Sequence, residues 1–361
     1  MKLCFLGDSN SVHTVRVAAY FAERGHEVSL IGFNAPKIKK VKYYPLKKLF
    51  SFMDLNYLAN IPLLNKYLAQ IKPEVLHAHY VTSYGFMAAC SGFQPVVLSC
   101  WGSDILVTPK KNIFLKLLTR YILRKVDYLT FDSDPVRTVI RKIAGGRLRA
   151  RLIVFGVESS FLKLKRPGRG KNRIIISVRS LEPLYNIDKI IKAFNLVKDK
   201  IKNVRLIVVG EGTLKKDLQL LSDSLKLKKY VSFLGSQPRY KLAEILSLSD
   251  IFVAVPESDA TSISLIEAMA VGVVPVVSNI DSKTYLIKDG VNGYTLEVGH
   301  TALSPITPEG IAAKIIEALK NEKQNDFIIS TNKILVEKFY LFDKNMGQLE
   351  KIYKDLKQEL Q

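Results

Sequence analysis

The chain is short of the residues that would tie it to several large protein classes. Three of its 361 residues are cysteines, Cys4, Cys90 and Cys100, and none has metal-ligand or redox spacing. A disulfide framework and a zinc finger are therefore excluded, and buried free thiols in a reducing compartment are expected. Nearly apolar segments such as 268–277 fall well short of the ~18 residues that a spanning helix needs. The opening MKLCFLGDSN is too short an apolar run for a secretory signal and reads as a first strand. No G-x-G-x-x-G follows that strand, which counts against a dinucleotide-dependent dehydrogenase. Acidic residues are also scarce: 33 Asp and Glu against 54 Lys and Arg leave a net charge of +21. Such an excess calls for an anionic partner, with nucleic acid, an anionic membrane and a phosphorylated substrate as the candidates.

What is present is a regular alternation. KLCFLGD, EVSLIGF, VLHAHY, PVVLSCW, YLTFDS and RLIVFGV (151–157) read as strands, with helices expected over 12–24, 57–71, 111–125 and 135–144. The second half repeats the scheme with RIIISV, RLIVVG, VSFLG, IFVAV, VPVVSN and GYTLEV. Helices are expected there over 187–200, 214–226, 239–248, 263–271 and 309–320. Alternation of this kind predicts mostly parallel sheets covered on both faces. The basic, Pro- and Gly-bearing stretch 162–172 reads as a linker between the halves. Doubly wound domains bind ligands at the carboxyl ends of their strands, so chemistry is sought there.

The most informative stretch is PESDATSISLIEAMAVGVVPVVS, residues 256–278. It puts Asp259, Thr261 and Ser262 in a polar turn and Glu267 on the helix that follows. A carboxylate, two hydroxyls and free backbone amides at one helix start suit an anionic ligand that bears hydroxyl groups. Asp259 as a helix cap and Glu267 as a solvated first-turn acid is the alternative. At SVRSLEPLYNID (177–188), Arg179 has the planar fork for bidentate phosphate binding or is a surface arginine at a strand end. Gly210 and Gly212 of VVGEGTLKKDL permit a close backbone approach. EVLHAHY sets His77 and His79 on one side of a strand.

Asp-x7-Glu followed by AMAVGVVPVVS resembles the E-x7-E motif of retaining, GT-B-fold glycosyltransferases of family 4, also called glycosyl transferases group 1. The likeness covers most of the chain, most strongly 1–31, 75–161 and 173–299. It implies two Rossmann-like doubly wound α/β domains facing a cleft, with a C-terminal helix crossing back to the first. Expected boundaries are 1–165 for an acceptor-binding domain, 166–325 for a nucleotide-sugar domain, and 326–361 for helices packing back toward the first. The resemblance implies hexosyl transfer from a UDP- or GDP-sugar to an acceptor hydroxyl, with retention and no required cofactor or metal. The acceptor class it suggests is a lipid-linked glycan, a polysaccharide or a glycolipid.

By the same resemblance Asp259 would contact donor-sugar hydroxyls and Glu267 the ribose. His79 would approach the sugar, and Arg179 would grip the diphosphate. Gly210, Gly212, Thr261, Ser262 and Ile263 would complete the nucleotide site. The lysine that usually follows the arginine is missing; Tyr185-Asn186 stands in its place, with Lys189 as an alternative base. Gly7, Asp8, Ser11, His13, Trp101 and Asp104 are the acceptor-side candidates. His13 could equally be a first-turn surface residue, Trp101 a core residue, and Asp104 a cap. FGVESSF (155–161) resembles the family's closing turn, with Glu158 in place of the usual Asp.

The positive charge clusters in 37–48, 109–125 and 147–151, and 113–125 patterns as an amphipathic helix with a basic face. Cytoplasmic location with peripheral contact to an anionic membrane is one expectation, and a solvated basic face is the other. No nucleic-acid-binding motif or regular interleaving of aromatics is present, so no nucleic-acid partner is expected. A GT-B-fold sugar-nucleotide epimerase and an inactive basic scaffold stay open as alternatives.

Overall fold

The computed structural model describes residues 1–36, 38–168, 170, 172–257, 259, 261–280, 286–297 and 306–359. Two compact units result: residues 1–155 with 344–361, and residues 156–343.

In the first unit, β1 (Lys2–Leu6), β2 (Glu27–Gly32), β3 (Val41–Pro45), β4 (Val75–His79), β5 (Val96–Cys100), β6 (Tyr128–Phe131) and β7 (Ala150–Leu152) form one sheet. Its order is β3-β2-β1-β4-β5-β6-β7, and every pairing is parallel. Strands β4 and β5 are buried at every position, as a sheet covered on both faces requires. In the second unit, β8 (Arg173–Val178), β9 (Val204–Val209), β10 (Val231–Gly235), β11 (Ile251–Ala254), β12 (Val274–Asn279) and β13 (Tyr294–Glu297) run parallel in the order β10-β9-β8-β11-β12-β13. The order reverses between β1 and β4 in one unit and between β8 and β11 in the other. Those reversals leave open crevices at the carboxyl ends of the strand pairs.

Several local expectations are corrected. The helix expected over 57–71 is two, Met53–Ala59 and Ile61–Ile71. Pro62 has no N–H to continue the first, and the Asn60 side chain is turned to the Lys47 backbone at 2.8 Å on both its oxygen and its nitrogen. The strand expected over 151–157 is only Ala150–Leu152, at a sheet edge. Part of the basic cluster 37–48 is an unexpected strand, β3, whose exposed Lys42 suits the opposite edge. Cys4 and Cys100 are buried free thiols as expected, whereas Cys90 is only partly buried.

Residues 162–172 lie within the second unit. There the Arg166 guanidinium donates to the carbonyls of Gly272 and Ser249. The tail consists of two helices, Glu322–Phe339 and Phe342–Glu359. From Lys344 onward it belongs to the first unit, where Arg149 pairs with Glu359 at 2.5 Å and Asn345 donates to the Val154 carbonyl at 2.8 Å. Tyr353 and Ser99 satisfy the two ring nitrogens of buried His77. Side chains thus hold that residue in the core.

Candidate active site

Both crevices carry the residues singled out from the sequence. In the second unit β8 ends at Val178 and presents Arg179, while β11 leads through Pro256 to Asp259 and the helix Ile263–Val271. Ser262 caps that helix, accepting from the Leu265 amide at 3.4 Å. Arg179 Nη1 donates to Ser262 Oγ at 2.9 Å, and Nη2 pairs with Asp259. Its Nε is buried without a hydrogen-bond partner among the described residues. Ser262 Oγ meets Ser264 Oγ at 3.2 Å, and Ser264 donates to the Val178 carbonyl at 3.1 Å. One guanidinium is thus fixed at the positive end of a helix with a donor in reserve. Thr261 and Ile263 flank the cap in sequence.

Tyr185 follows on a short turn, and its ring lies 4.5 Å from the Arg179 guanidinium carbon. It supports the arginine by a cation–π contact rather than supplying a second charge. Lys189, the alternative base, is 3.9 Å from Glu257.

Gly210 has φ +143°, and an added Cβ would sit 1.9 Å from the Arg179 carbonyl oxygen. At Gly212 the added atom would meet the Leu181 oxygen at 2.4 Å. The close approach that these glycines allow is to the turn displaying Arg179, so they shape the site through the backbone behind it.

Glu267 is buried one turn into the helix rather than solvated. Its Oε1 is 2.9 Å from Nη2 of Arg239, and the same guanidinium pairs with Glu158. Arg239 begins the helix Arg239–Ser247 and was not a candidate from the sequence. Its partners lie far off in the chain, and nothing in its neighbours marks it.

In the first unit the crevice between β1 and β4 opens into a cavity of about 540 Å³. Asp8, Ser11, His13, His79 and Trp101 line it; Gly7 and Asp104 do not. Tyr57, Tyr80, Thr82, Ser83 and Tyr84 also line it, and these were missed. Most come from a π-helical turn, Tyr80–Gly85, which starts with Tyr80 at φ +75° and has no periodic signature in sequence.

His79 Nδ1 lies 3.0 Å from Thr14 Oγ1, and its Nε2 is buried with no partner among the described residues. Burial first, then the neighbouring His13, lowers its pKa to about 3, so the imidazole is neutral at ordinary pH. Trp101 stacks on Phe155 at 4.5 Å and lies 4.9 Å from the His13 ring, so it is wall and packing residue at once.

Asp104 is fully buried. Its two oxygens accept from the amides of Trp101 and Val81, each at 3.0 Å. Burial pushes its pKa up to about 7 against those bonds. It therefore shapes the loop that carries Trp101 instead of facing a ligand.

Two parallel doubly wound units, each with polar groups at its switch point, define a GT-B-type α/β protein. Family comparison agrees along the chain. Residues 161–334 match the model of glycosyl transferases group 1, and residues 2–133 match that of glycosyl transferase 4-like proteins. The chain belongs to the group 1, GT4-like glycosyltransferases, and is a transferase enzyme.

Among curated relatives, N-acetyl-alpha-D-glucosaminyl L-malate synthase of Bacillus anthracis is 23% identical, over 97% of this chain and 94% of that one. Phosphatidyl-myo-inositol mannosyltransferase of Mycobacterium tuberculosis is 26% identical, over 88% and 84%. Among solved structures, Anabaena HepE in complex with UDP has a TM-score of 0.78 at 16% identity, over 99% of this chain and 100% of that one.

Proposed function

We propose that the protein transfers a hexosyl group from a nucleoside diphosphate sugar, UDP- or GDP-linked, to an acceptor hydroxyl in glycan or glycolipid assembly. The observation that carries this reading is Arg179, held by Ser262 and Asp259 at the start of the helix Ile263–Val271 with a buried, unbonded Nε. A departing diphosphate meets there a guanidinium and a helix N-terminus, both fixed before the charge develops. Asp259 then exchanges part of its ion pair for donor-sugar hydroxyls, and Glu267 receives the ribose. Thr261, Ser262, Ile263, Gly210, Gly212 and Tyr185 frame the nucleotide. His79, neutral and with Nε2 unbonded, offers a hydrogen-bonding group in the first-unit cavity. The structure of HepE with UDP supports a nucleotide ligand on this fold.

Acceptor binding belongs, in this reading, to the first-unit cavity with Asp8, Ser11, His13 and Trp101. Family resemblance is the ground for retention, with attack on the face that the diphosphate leaves.

Membrane contact has a specific observation behind it. On the helix Ile113–Lys125, Ile113 and Phe114 are each 69% exposed, and Leu117 and Tyr121 are exposed beside Lys116 and Arg120. Apolar side chains among cations suit the surface of an anionic bilayer. Among the described residues no helix is long and apolar enough to cross one.

Calorimetric titration with UDP and GDP tests the donor site. One of them should bind within the ~1 μM–1 mM range usual for substrates, and Glu267→Ala should weaken that binding by an order of magnitude. If neither nucleotide binds, the inactive-scaffold reading takes its place. Epimer formation from a nucleotide sugar without any acceptor favours the isomerase alternative.

A further inference from the structure

The chain carries 54 cationic side chains against 33 acidic ones, yet the wall of the first-unit cavity reverses that balance. Asp8 and Asp54 line it, and its described lining includes no Lys or Arg. Both carboxylates act on the cavity's tyrosines. Burial raises the Tyr57 phenol, the Ser83 hydroxyl opposes that, and Asp8 and Asp54 add to the rise. Tyr84 is raised by burial, then by Tyr57 and Asp8. Asp8 and Asp54 thus make this wall acidic, in a chain whose net charge is +21.

The remaining wall combines aromatic faces with uncharged hydrogen-bonding groups. Tyr57 and Trp101 offer flat apolar surface; Ser11, Thr82 and Ser83 offer hydroxyls. His79 adds an imidazole that is 3% exposed, with Nε2 unpartnered. A carboxylate or phosphate entering here loses its water beside two like charges and meets no Lys or Arg in the described lining, whose basic side chains are His13 and the neutral His79, a cost that grows as the local dielectric falls. A neutral pyranose gains instead: its hydroxyls donate to Asp8 and Asp54, and its C–H face packs on the rings.

We propose that this cavity accepts an uncharged sugar residue as the glycosyl acceptor and rejects acceptors recognised through a carboxylate or phosphate. The proposal rests on the reading of the cavity as the acceptor site.

Trp101, the only tryptophan of the chain, lies in the wall, so its emission reports on this cavity. The full-length protein is titrated with methyl α-glycosides of glucose, galactose, mannose and N-acetylglucosamine, each against its 6-phosphate, and with L-malate. At least one neutral glycoside should change the emission saturably, with its 6-phosphate binding ~10-fold more weakly. The double variant Asp8→Asn, Asp54→Asn should narrow that gap to about 3-fold or less. Both side chains are exposed, and asparagine keeps an acceptor for the Asn10 amide now held by Asp8, so the fold is expected to survive.

A 6-phosphate or L-malate binding as tightly as the neutral glycosides overturns the proposal. So does unchanged discrimination in the double variant. Silence of Trp101 toward every compound removes the cavity as acceptor site and the proposal with it. Nucleotide binding in the calorimeter would still stand in that case, which separates the two failures.

Discussion

Arg239 Nη2 stands 2.9 Å from Glu267 Oε1 and is also the partner of Glu158, so one guanidinium neutralises two carboxylates brought together from distant parts of the chain. Glu267 is 4% exposed at its side chain, whereas Arg239 is 32% exposed. A buried acid on an apolar helix keeps its charge only while such a partner holds it.

Replacing Arg239 by Gln therefore leaves two carboxylates facing each other, one of them buried. The expected loss of stability is about 1–3 kcal/mol, at the lower end for a broken buried pair because solvent reaches the arginine. Nucleotide affinity should fall by roughly tenfold, and adding Glu158→Gln should recover part of both losses. Thermal unfolding and calorimetry read the two effects. Wild-type affinity in Arg239→Gln would show that Glu267 needs no such support.

Arg179 is expected to act on the chemical step more than on folding. Arg179→Ala should lower kcat by ~10²–10³-fold, the range for one lost donor at a developing negative charge. Arg179→Lys should recover little, because an ammonium cannot span Ser262 and Asp259 as the planar fork does. Steady-state rates with a saturating donor decide the matter. A fall confined to KM would assign Arg179 to ground-state binding alone.

Asp104 predicts an unusual pH dependence of stability. Its folded pKa, about 7, lies above the ordinary value of 3.8, so the folded state holds a proton that the unfolded state has already lost. Between those values stability falls as pH rises. Asp104→Asn should flatten that slope in melting temperatures measured from pH 4 to pH 8. It should also lower stability at pH 4 by ~1 kcal/mol, because asparagine accepts only one of the two amide bonds. An unaltered slope would mean that another group titrates there.

The helix Ile113–Lys125 should dock on anionic vesicles. Sedimentation with phosphatidylglycerol vesicles is expected to recover the protein at low salt and to release most of it at ~0.5 M salt, where screening is strong. Phe114→Ser with Leu117→Ser should weaken recovery without changing nucleotide binding. Equal recovery on neutral phosphatidylcholine would argue against the basic face.

Much of this was legible in the chain. The strands β1, β4, β8 and β11 announce themselves as apolar runs followed by polar turns, because buried parallel strands admit little else. Arg179, Asp259 and His79 were singled out by the polar turns after those strands and by the family resemblance. The breaks were local and have local reasons. Pro62 divides a helix whose apolar pattern runs through it, and β3 is hidden because this half-exposed edge strand lies inside a lysine-rich stretch and ends in proline. Arg239 and the tyrosines of the cavity were invisible, since a side chain's partner on a distant element leaves no trace in its sequence neighbours.

The order of apolar runs and polar turns determined by itself that this chain folds as two parallel doubly wound units with their chemistry at the strand ends. Backbone hydrogen bonding and the burial of apolar faces are short-range demands written residue by residue. Which carboxylate meets Arg239, why Asp104 faces inward, and that Asp8 and Asp54 share one cavity wall were decided only in three dimensions. Charge pairing and desolvation depend on distances between side chains that folding alone brings together.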